Sequence, residues 1–81
     1  MNLSSVIVHC APDQMANVSE QLGTLSGVEV HAADDGKLIA TLEAESEQGV
    51  ADLYEVVRQV AGVLSVSMVY HQYEPDPDKE A

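Results

Sequence analysis

The segment from Gly62 to Gln72 alternates apolar residues with small or weakly polar ones, a period of two that is typical of a β-strand with one buried face. The row predicted to be buried is Leu64, Val66, Met68 and Tyr70, and the row predicted to be open is Ser65, Ser67, Val69 and His71. The side chains of the open row are small and partly aliphatic rather than charged. That composition predicts a sheet surface kept free for a partner.

Chain length and cysteine content restrict the possible functions. The chain has 81 residues, enough for one domain. A domain of this size buries only about 60% of its unfolded surface, which leaves little room for a deep active-site cleft. The lone cysteine, Cys10, cannot form an intrachain disulfide and has no second thiol for a metal pair. We therefore expect a reducing compartment.

The charge of the chain and its first residues indicate where it acts and what it binds. The first basic residue is Lys37, and the apolar run Val6–Val8 is too short for a signal peptide or a membrane span, so we expect a cytoplasmic protein. Fourteen acidic residues against three basic ones give a formal charge of -11. This charge argues against nucleic acid or anionic lipid as partners and favours a cationic peptide or protein.

Six elements are predicted, in the order strand, helix, strand, strand, helix, strand. Their signals are the Val- and Ile-rich run Leu3–His9, the helical spacing of Met15, Val18, Leu22 and Leu25 after Pro12, the alternation of Val28, Val30 and Ala32, the Asp34-Asp35-Gly36 turn before Lys37–Ala44, the Ser46 N-cap before Val50, Leu53, Val57 and Val60, and the final strand after Gly62. Residues 1–73 should form the domain. Residues 74–81, with four acids and two prolines, are expected to be a disordered acidic tail.

Right-handed crossovers fold this order into a ferredoxin-like split βαβ arrangement, an α+β fold with a four-stranded antiparallel sheet and both helices on one face. The expected spatial order of the strands is fourth, first, third, second. The residues predicted under the helices are Val6, Val8, Val28, Val30, Leu38, Ala40, Leu42, Leu64, Val66 and Met68. Those predicted on the opposite face are Ser5, Ile7, His9, Glu29, His31, Ile39, Thr41, Glu43, Ser65, Ser67, Val69 and His71.

No metal or nucleophile site is predicted. His9 and His71 should lie about 20 Å apart on antiparallel neighbours, so a metal site shared with His31 is not expected. Cys10 lacks a basic neighbour that would lower the pKa of its thiol, and it points to the side of the strand opposite His9. We expect Cys10 to be a small buried apolar residue.

Enzymatic features are also missing from the rest of the sequence. No glycine-rich phosphate loop follows the first strand, and Arg58 is expected to pair with Glu55 on the second helix rather than to clamp a substrate. Tyr54 and Tyr70 are expected to be packing residues with a tethered hydroxyl. The sequence therefore predicts a protein that is no enzyme and carries no cofactor.

Four segments of the chain resemble one known family. They are the run Val60–Gln72, the strand Ser4–Val8, the helix exit Leu25–Val30 and the hairpin Asp35–Ile39. Together they resemble NapD, the family of chaperones for assembly of the periplasmic nitrate reductase. The resemblance extends from Ser4 to Glu74, and its most specific part is the string Gly-Val-Leu-Ser-Val-Ser-Met-Val-Tyr-His-Gln.

The resemblance implies a cytoplasmic protein of ferredoxin-like fold. Such a protein binds the twin-arginine signal peptide of the nitrate reductase catalytic subunit and delays export until the molybdenum cofactor is in place. The family has no catalytic motif to carry over to this sequence. A twin-arginine signal peptide has a basic end and a moderately apolar helical stretch, which complements the aliphatic and acidic residues of the predicted open face.

No family motif assigns individual peptide contacts, so the predicted binding site comes from the sheet geometry alone. It comprises Ile7, Glu29, Ile39, Thr41, Glu43, Ser67 and Val69. Two binding modes stay open: a peptide helix across the sheet, or a peptide strand added at a sheet edge. The alternative function is a regulatory domain of the same fold that senses a small molecule or dimerises.

Overall fold

The computed structural model of the chain describes residues 2–73, with the side chains of residues 2–69. Its elements are β1 (Asn2–Cys10), a 3-10 turn (Pro12–Gln14), α1 (Met15–Gly23), β2 (Val28–Asp34), β3 (Lys37–Ala44), α2 (Glu47–Arg58) and β4 (Val63–Tyr73). The predicted order of elements is confirmed. The predicted disordered tail, residues 74–81, lies outside the described residues. No helix within residues 2–73 is long and apolar enough to cross a bilayer.

The four strands form one antiparallel sheet in the order β2-β3-β1-β4. This is the predicted order, and with the two helices it confirms the ferredoxin-like fold. Helix α1 packs mainly on β2, whereas α2 packs on β1, β3 and β4. Strands β2 and β4 are therefore the edges of the sheet, and β1 and β3 occupy its centre.

The core lies between the sheet and the two helices. Its fully buried apolar side chains come from four elements and are Val6 and Val8 of β1, Val18 and Leu22 of α1, Leu38, Ala40 and Leu42 of β3, and Val57 of α2. Each buried valine or leucine stabilises the fold by about 1.5 to 3 kcal/mol relative to an exposed side chain. The two central strands and both helices thus share one core.

The β2–β3 hairpin turns through Asp35 and Gly36, which have φ angles of 37° and 85°. Two successive residues with positive φ are the signature of the two-residue turn that the Asp-Gly pair predicts. The Gly36 N–H points at the Met15 Sδ at 3.0 Å, and the Gly36 carbonyl accepts a hydrogen bond from the Cys10 N–H at 2.9 Å. These contacts hold the hairpin against the end of β1 and the start of α1.

Helix α2 begins as predicted at the Ser46 N-cap, whose hydroxyl accepts a hydrogen bond from the Gly49 N–H at 3.0 Å. The helix ends at Arg58, and Arg58 pairs with Glu55 at 2.9 Å as expected. Gly62 stands at the entry to β4 with a φ of 96°.

Bulges on both edge strands overturn part of the predicted alternation. On β4, Val63 pairs with Cys10 and Ser65 pairs with His9, so Leu64 between them has no partner on β1. Leu64, predicted to lie under the helices, is 73% exposed. An extra residue in a bulge shifts the side chains that follow it relative to a strict period of two.

Two further positions differ from the predicted pattern, for different reasons. On β2, Val30 pairs with Ala40 and Ala32 pairs with Ile39, so the bulge at His31 moves Ala32 to the face opposite the helices. Met68 pairs with Val6 and keeps its predicted side of the sheet. It is nevertheless 49% exposed, because it lies on the edge strand where α2 leaves it uncovered. The side chains predicted for Tyr70 and His71 lie outside the described ones.

Alanine substitutions at Gly27 and Gly23 test whether the backbone at Gly27 requires glycine. Gly27 has a φ of 87°, and an added Cβ would lie 2.5 Å from the Glu43 carbonyl oxygen, whereas a Cβ on Gly23 meets nothing within 4 Å. We expect Gly27→Ala to lower the free energy of unfolding by about 1 to 3 kcal/mol. Gly23→Ala should raise it by about 0.5 to 1 kcal/mol, because alanine favours the helix. Denaturant unfolding measures both, and equal midpoints for the two variants would contradict the close approach at Gly27.

Candidate functional site

The open face, defined as the sheet surface opposite the helices, is arranged in rows by the strand register. It is formed by Leu3, Ser5, Ile7 and His9 of β1, Glu29, His31, Ala32 and Asp34 of β2, Lys37, Ile39, Thr41 and Glu43 of β3, and Ser65 and Ser67 of β4. Residues paired across strands point to the same side of the sheet. Neighbouring side chains on this face can therefore be read directly from the pairing.

The centre of the open face is apolar. Ile7 and Ile39 lie directly opposite each other on the two central strands. Ala32 flanks Ile39 on β2, and Ser67 flanks Ile7 on β4. Ile39 is 45% exposed and Ile7 is half-buried. A hollow of about 90 Å³ forms here, and its lining comprises Ile7, Ala32, Ala33, Asp34, Lys37 and Ile39.

Two acids lie at one end of this apolar centre. Glu29 pairs with Thr41, and Glu43 follows two residues later on the same side of β3. This diagonal relation places the two Cα atoms about 7 to 8 Å apart. Both acids are exposed, and Glu43 is four strand residues, or about 13 Å, from Ile39. The open face thus presents an apolar centre with a negative charge at a fixed distance.

His31 forms a hydrogen bond within the open face. Its Nε2 lies 2.8 Å from the Thr41 hydroxyl oxygen. The described residues contain no group of three or more histidine, cysteine or acidic side chains that could hold a metal ion.

At the far end of the face, Lys37 lies opposite both Asp34 and His9, so the charges there are mixed.

Six of the seven predicted contact residues share the open face. These are Ile7, Glu29, Ile39, Thr41, Glu43 and Ser67. Val69 differs, because it is the extra residue of a second β4 bulge, between Met68 and Tyr70, and is 62% exposed at the sheet edge. The list of residues predicted on this face lacks Leu3, Ala32, Asp34 and Lys37. The alternation of β1, continued back by two residues, would have found Leu3, whereas the bulge at His31 concealed Ala32.

Cys10 and Tyr54 have the structural roles expected of them. Cys10 is 3% exposed on the helix side of β1, and burial raises the pKa of its thiol. The Tyr54 hydroxyl donates a hydrogen bond to the Val66 carbonyl oxygen at 2.8 Å, which tethers α2 to β4. Neither side chain is presented to a substrate on the open face.

These features describe a small ferredoxin-like domain whose sheet has one face free of helices, apolar at its centre and acidic at one end. Comparison with known proteins identifies the family. Residues 1–75 match the family model described as NapD protein. The chain therefore belongs to the NapD family, a family of chaperones. The resemblance found in the sequence is confirmed.

Two relatives and one solved structure show how similar the family members are. The chain is 40% identical over 72 residues to Chaperone NapD of Escherichia coli K12, covering 86% of this chain and 83% of that protein. It is 32% identical over 81 residues to Chaperone NapD of Paracoccus pantotrophus, covering all of this chain and 72% of that protein. The solution structure of the E. coli Tat proofreading chaperone protein NapD superposes with a TM-score of 0.81 at 39% identity, covering 89% of this chain and 78% of that one.

A more distant structural likeness concerns the fold alone. A transcriptional regulatory protein of the AsnC family from Pyrococcus furiosus superposes with a TM-score of 0.74 at 14% identity. The match covers 98% of this chain and 55% of that one. At this identity the likeness shows that the two proteins share an architecture.

Burial of Cys10 predicts slow alkylation of the native protein by iodoacetamide. The reactive species is the thiolate, and a raised pKa lowers the thiolate fraction at every pH below it, while burial blocks access. Mass spectrometry over time should show alkylation that is slow in buffer and fast in guanidinium chloride. A native rate close to that of free cysteine would show that β1 opens at this end.

Proposed function

We propose that this protein is a cytoplasmic chaperone for the catalytic subunit of the periplasmic nitrate reductase. It binds the twin-arginine signal peptide of that subunit and holds back export until the molybdenum cofactor has been inserted. The observation that carries the proposal is the pairing of exposed Ile39 with Ile7 at the centre of the open face, beside the acidic end formed by Glu29 and Glu43.

Family membership supports this proposal. The curated relatives are named Chaperone NapD, and the solved relative is described as a Tat proofreading chaperone. A twin-arginine signal peptide offers a basic end followed by a moderately apolar stretch. The open face offers the complementary surfaces in the same arrangement, an acidic end beside an apolar centre. In addition, the net charge of -11 attracts a basic peptide at long range.

The open face suits a helical peptide. Glu43 is about 13 Å from Ile39, a distance that about nine residues span in a helix and four span in a strand. A segment lying on a sheet face meets side chains rather than free backbone groups, because the sheet uses its own backbone groups within its plane. A helix satisfies its own backbone hydrogen bonds and contacts the face with side chains alone.

At the open face, the regulatory alternative of a small-molecule sensor has less support. Pockets that enclose small ligands usually measure about 300 to 1,000 Å³. The hollow at the centre of the open face measures about 90 Å³, so a small molecule there would stay largely in solvent. A peptide contacts many residues at once, so it buries more of its surface on this shallow face than a small molecule does.

Replacement of Ile39 by aspartate should weaken binding of the signal peptide by about 1 to 3 kcal/mol, because it places a charge in the apolar centre. Val56→Asp is the matched control, since Val56 is also 45% exposed but lies on α2, in the opposite layer. Isothermal titration calorimetry measures both affinities, and circular dichroism checks the fold. Equal affinity for Ile39→Asp and the parent, with native spectra, would remove the open face as the binding site.

The acidic end should make binding depend on salt. The Debye length falls from about 30 Å at 0.01 M salt to about 8 Å at 0.15 M, so attraction between exposed charges weakens as salt rises. Glu29→Gln with Glu43→Gln should give a shallower dependence of affinity on salt than the parent. Each exposed ion pair contributes only about 0.2 to 1 kcal/mol, so the change in affinity itself should be modest.

The control for this double variant is Glu20→Gln with Glu45→Gln, which removes the same charge from exposed sites on α1 and in the loop before α2. It should keep a steeper salt dependence than the open-face variant. Identical slopes for the two double variants would show that net charge attracts the peptide without a specific acidic end.

A further inference from the structure

Strand β4 presents an unusually apolar edge. Its sequence from Val63 to Tyr73 contains no acid, lysine, arginine or proline, the residues that commonly protect an edge strand. Leu64, Met68 and Val69 of this strand are 73%, 49% and 62% exposed. The opposite edge, β2, differs, because it carries acids at Glu29 and Asp34.

A groove runs between this edge and helix α2. It measures about 660 Å³, and its lining comprises Glu47, Gln48, Val50, Ala51, Tyr54, Glu55 and Met68. Its floor is apolar, with Glu47 at one end and Glu55 at the other. The hydrogen bond from Tyr54 to the Val66 carbonyl holds α2 at a fixed distance from β4, so the groove is part of the folded domain.

The groove and the edge have similar lengths. Between its two bulges, β4 offers the regular stretch Ser65–Met68, about 10 Å from the first Cα to the last. Glu47 and Glu55 are eight residues apart on α2, a rise of about 12 Å. A strand added beside β4 would lie about 4.8 Å from it and send alternate side chains into the groove, about 7 Å apart. Two or three such side chains fill the distance between the acids.

We propose that β4 and α2 together bind an extended segment of a partner polypeptide as a fifth strand. The segment has an apolar side chain over Ala51 and Met68, and basic side chains two residues away on the same side of the strand. One basic side chain meets Glu47, and the other joins Arg58 at the Glu55 carboxylate, which also accepts a hydrogen bond from Gln59. The backbone of the segment uses the outward-facing N–H and C=O groups of β4. The Val66 carbonyl already accepts a hydrogen bond from the Tyr54 hydroxyl, and its second lone pair is the one left for an N–H of the segment.

Charge identifies the occupant as a cationic partner rather than a second copy of this chain. Glu55 already binds Arg58 at 2.9 Å, and this is the one ion pair among residues 2–69, so Glu47 has no cationic partner within that part of the chain. A second copy would bring a further formal charge of -11 to an acidic groove. The surface lies on the helix side of the sheet and does not depend on the function proposed for the open face.

The test uses the capped peptide Thr-Lys-Thr-Leu-Thr-Lys-Thr, whose two lysines and leucine occupy one side of a strand. Its matched control has the same composition, with leucine and the neighbouring threonine exchanged, so that leucine faces the other side. In NMR titrations the first peptide should shift amide signals of Ser65–Met68 and of α2, and should slow hydrogen exchange within Ser65–Met68. The control peptide should bind about tenfold more weakly or not at all.

Substitution in the groove completes the test. Ala51→Arg places a bulky cation on the floor and should weaken binding of the first peptide by about tenfold or more. Ala16→Arg, the same change at an exposed site on α1, should leave its binding unchanged. Ile39→Asp should also leave it unchanged, which separates this surface from the open face. Equal binding of the two peptides, equal effects of the two arginine variants, or signal shifts confined to the open face would overturn the proposal.

Discussion

The pairing of β1 on both of its edges is the constraint on which both proposed binding surfaces depend. Strand β1 joins β3 on one side and β4 on the other, and its side chains alternate between buried and half-buried positions along its whole length. Val6 and Val8 enter the core, which fixes Ile7 between them on the open face. The same pairing places β4 at the edge, where α2 covers it only in part. One strand therefore positions the apolar centre of the open face and the groove on the helix side.

Strand periodicity explains which features could be predicted from the sequence. Strands β1 and β3 keep a strict period of two, so the positions of Ile7, Ile39, Thr41 and Glu43 follow from sequence alone. The Asp35-Gly36 turn and the Ser46 cap have local signals of their own and are confirmed. These elements were enough to order the strands and to place most of the open face.

The remaining features depend on contacts that leave no local signal. A bulge adds one residue without changing composition, so Leu64 and Val69 could be read as members of a regular alternation. The exposure of Met68 depends on how far α2 extends over the sheet, which is a property of helix packing rather than of β4. Family similarity adds the class of protein, although it assigns no contact to an individual residue.

The two bulges of β4 also limit how long any added strand can be. Only Ser65–Met68 lies in regular register between them, so a segment that pairs there gains few backbone hydrogen bonds before the edge twists away. A short ladder offers few backbone hydrogen bonds, so a segment paired there would dissociate readily. The irregular edge thereby favours turnover over permanence: what the proposed groove holds, it can also release.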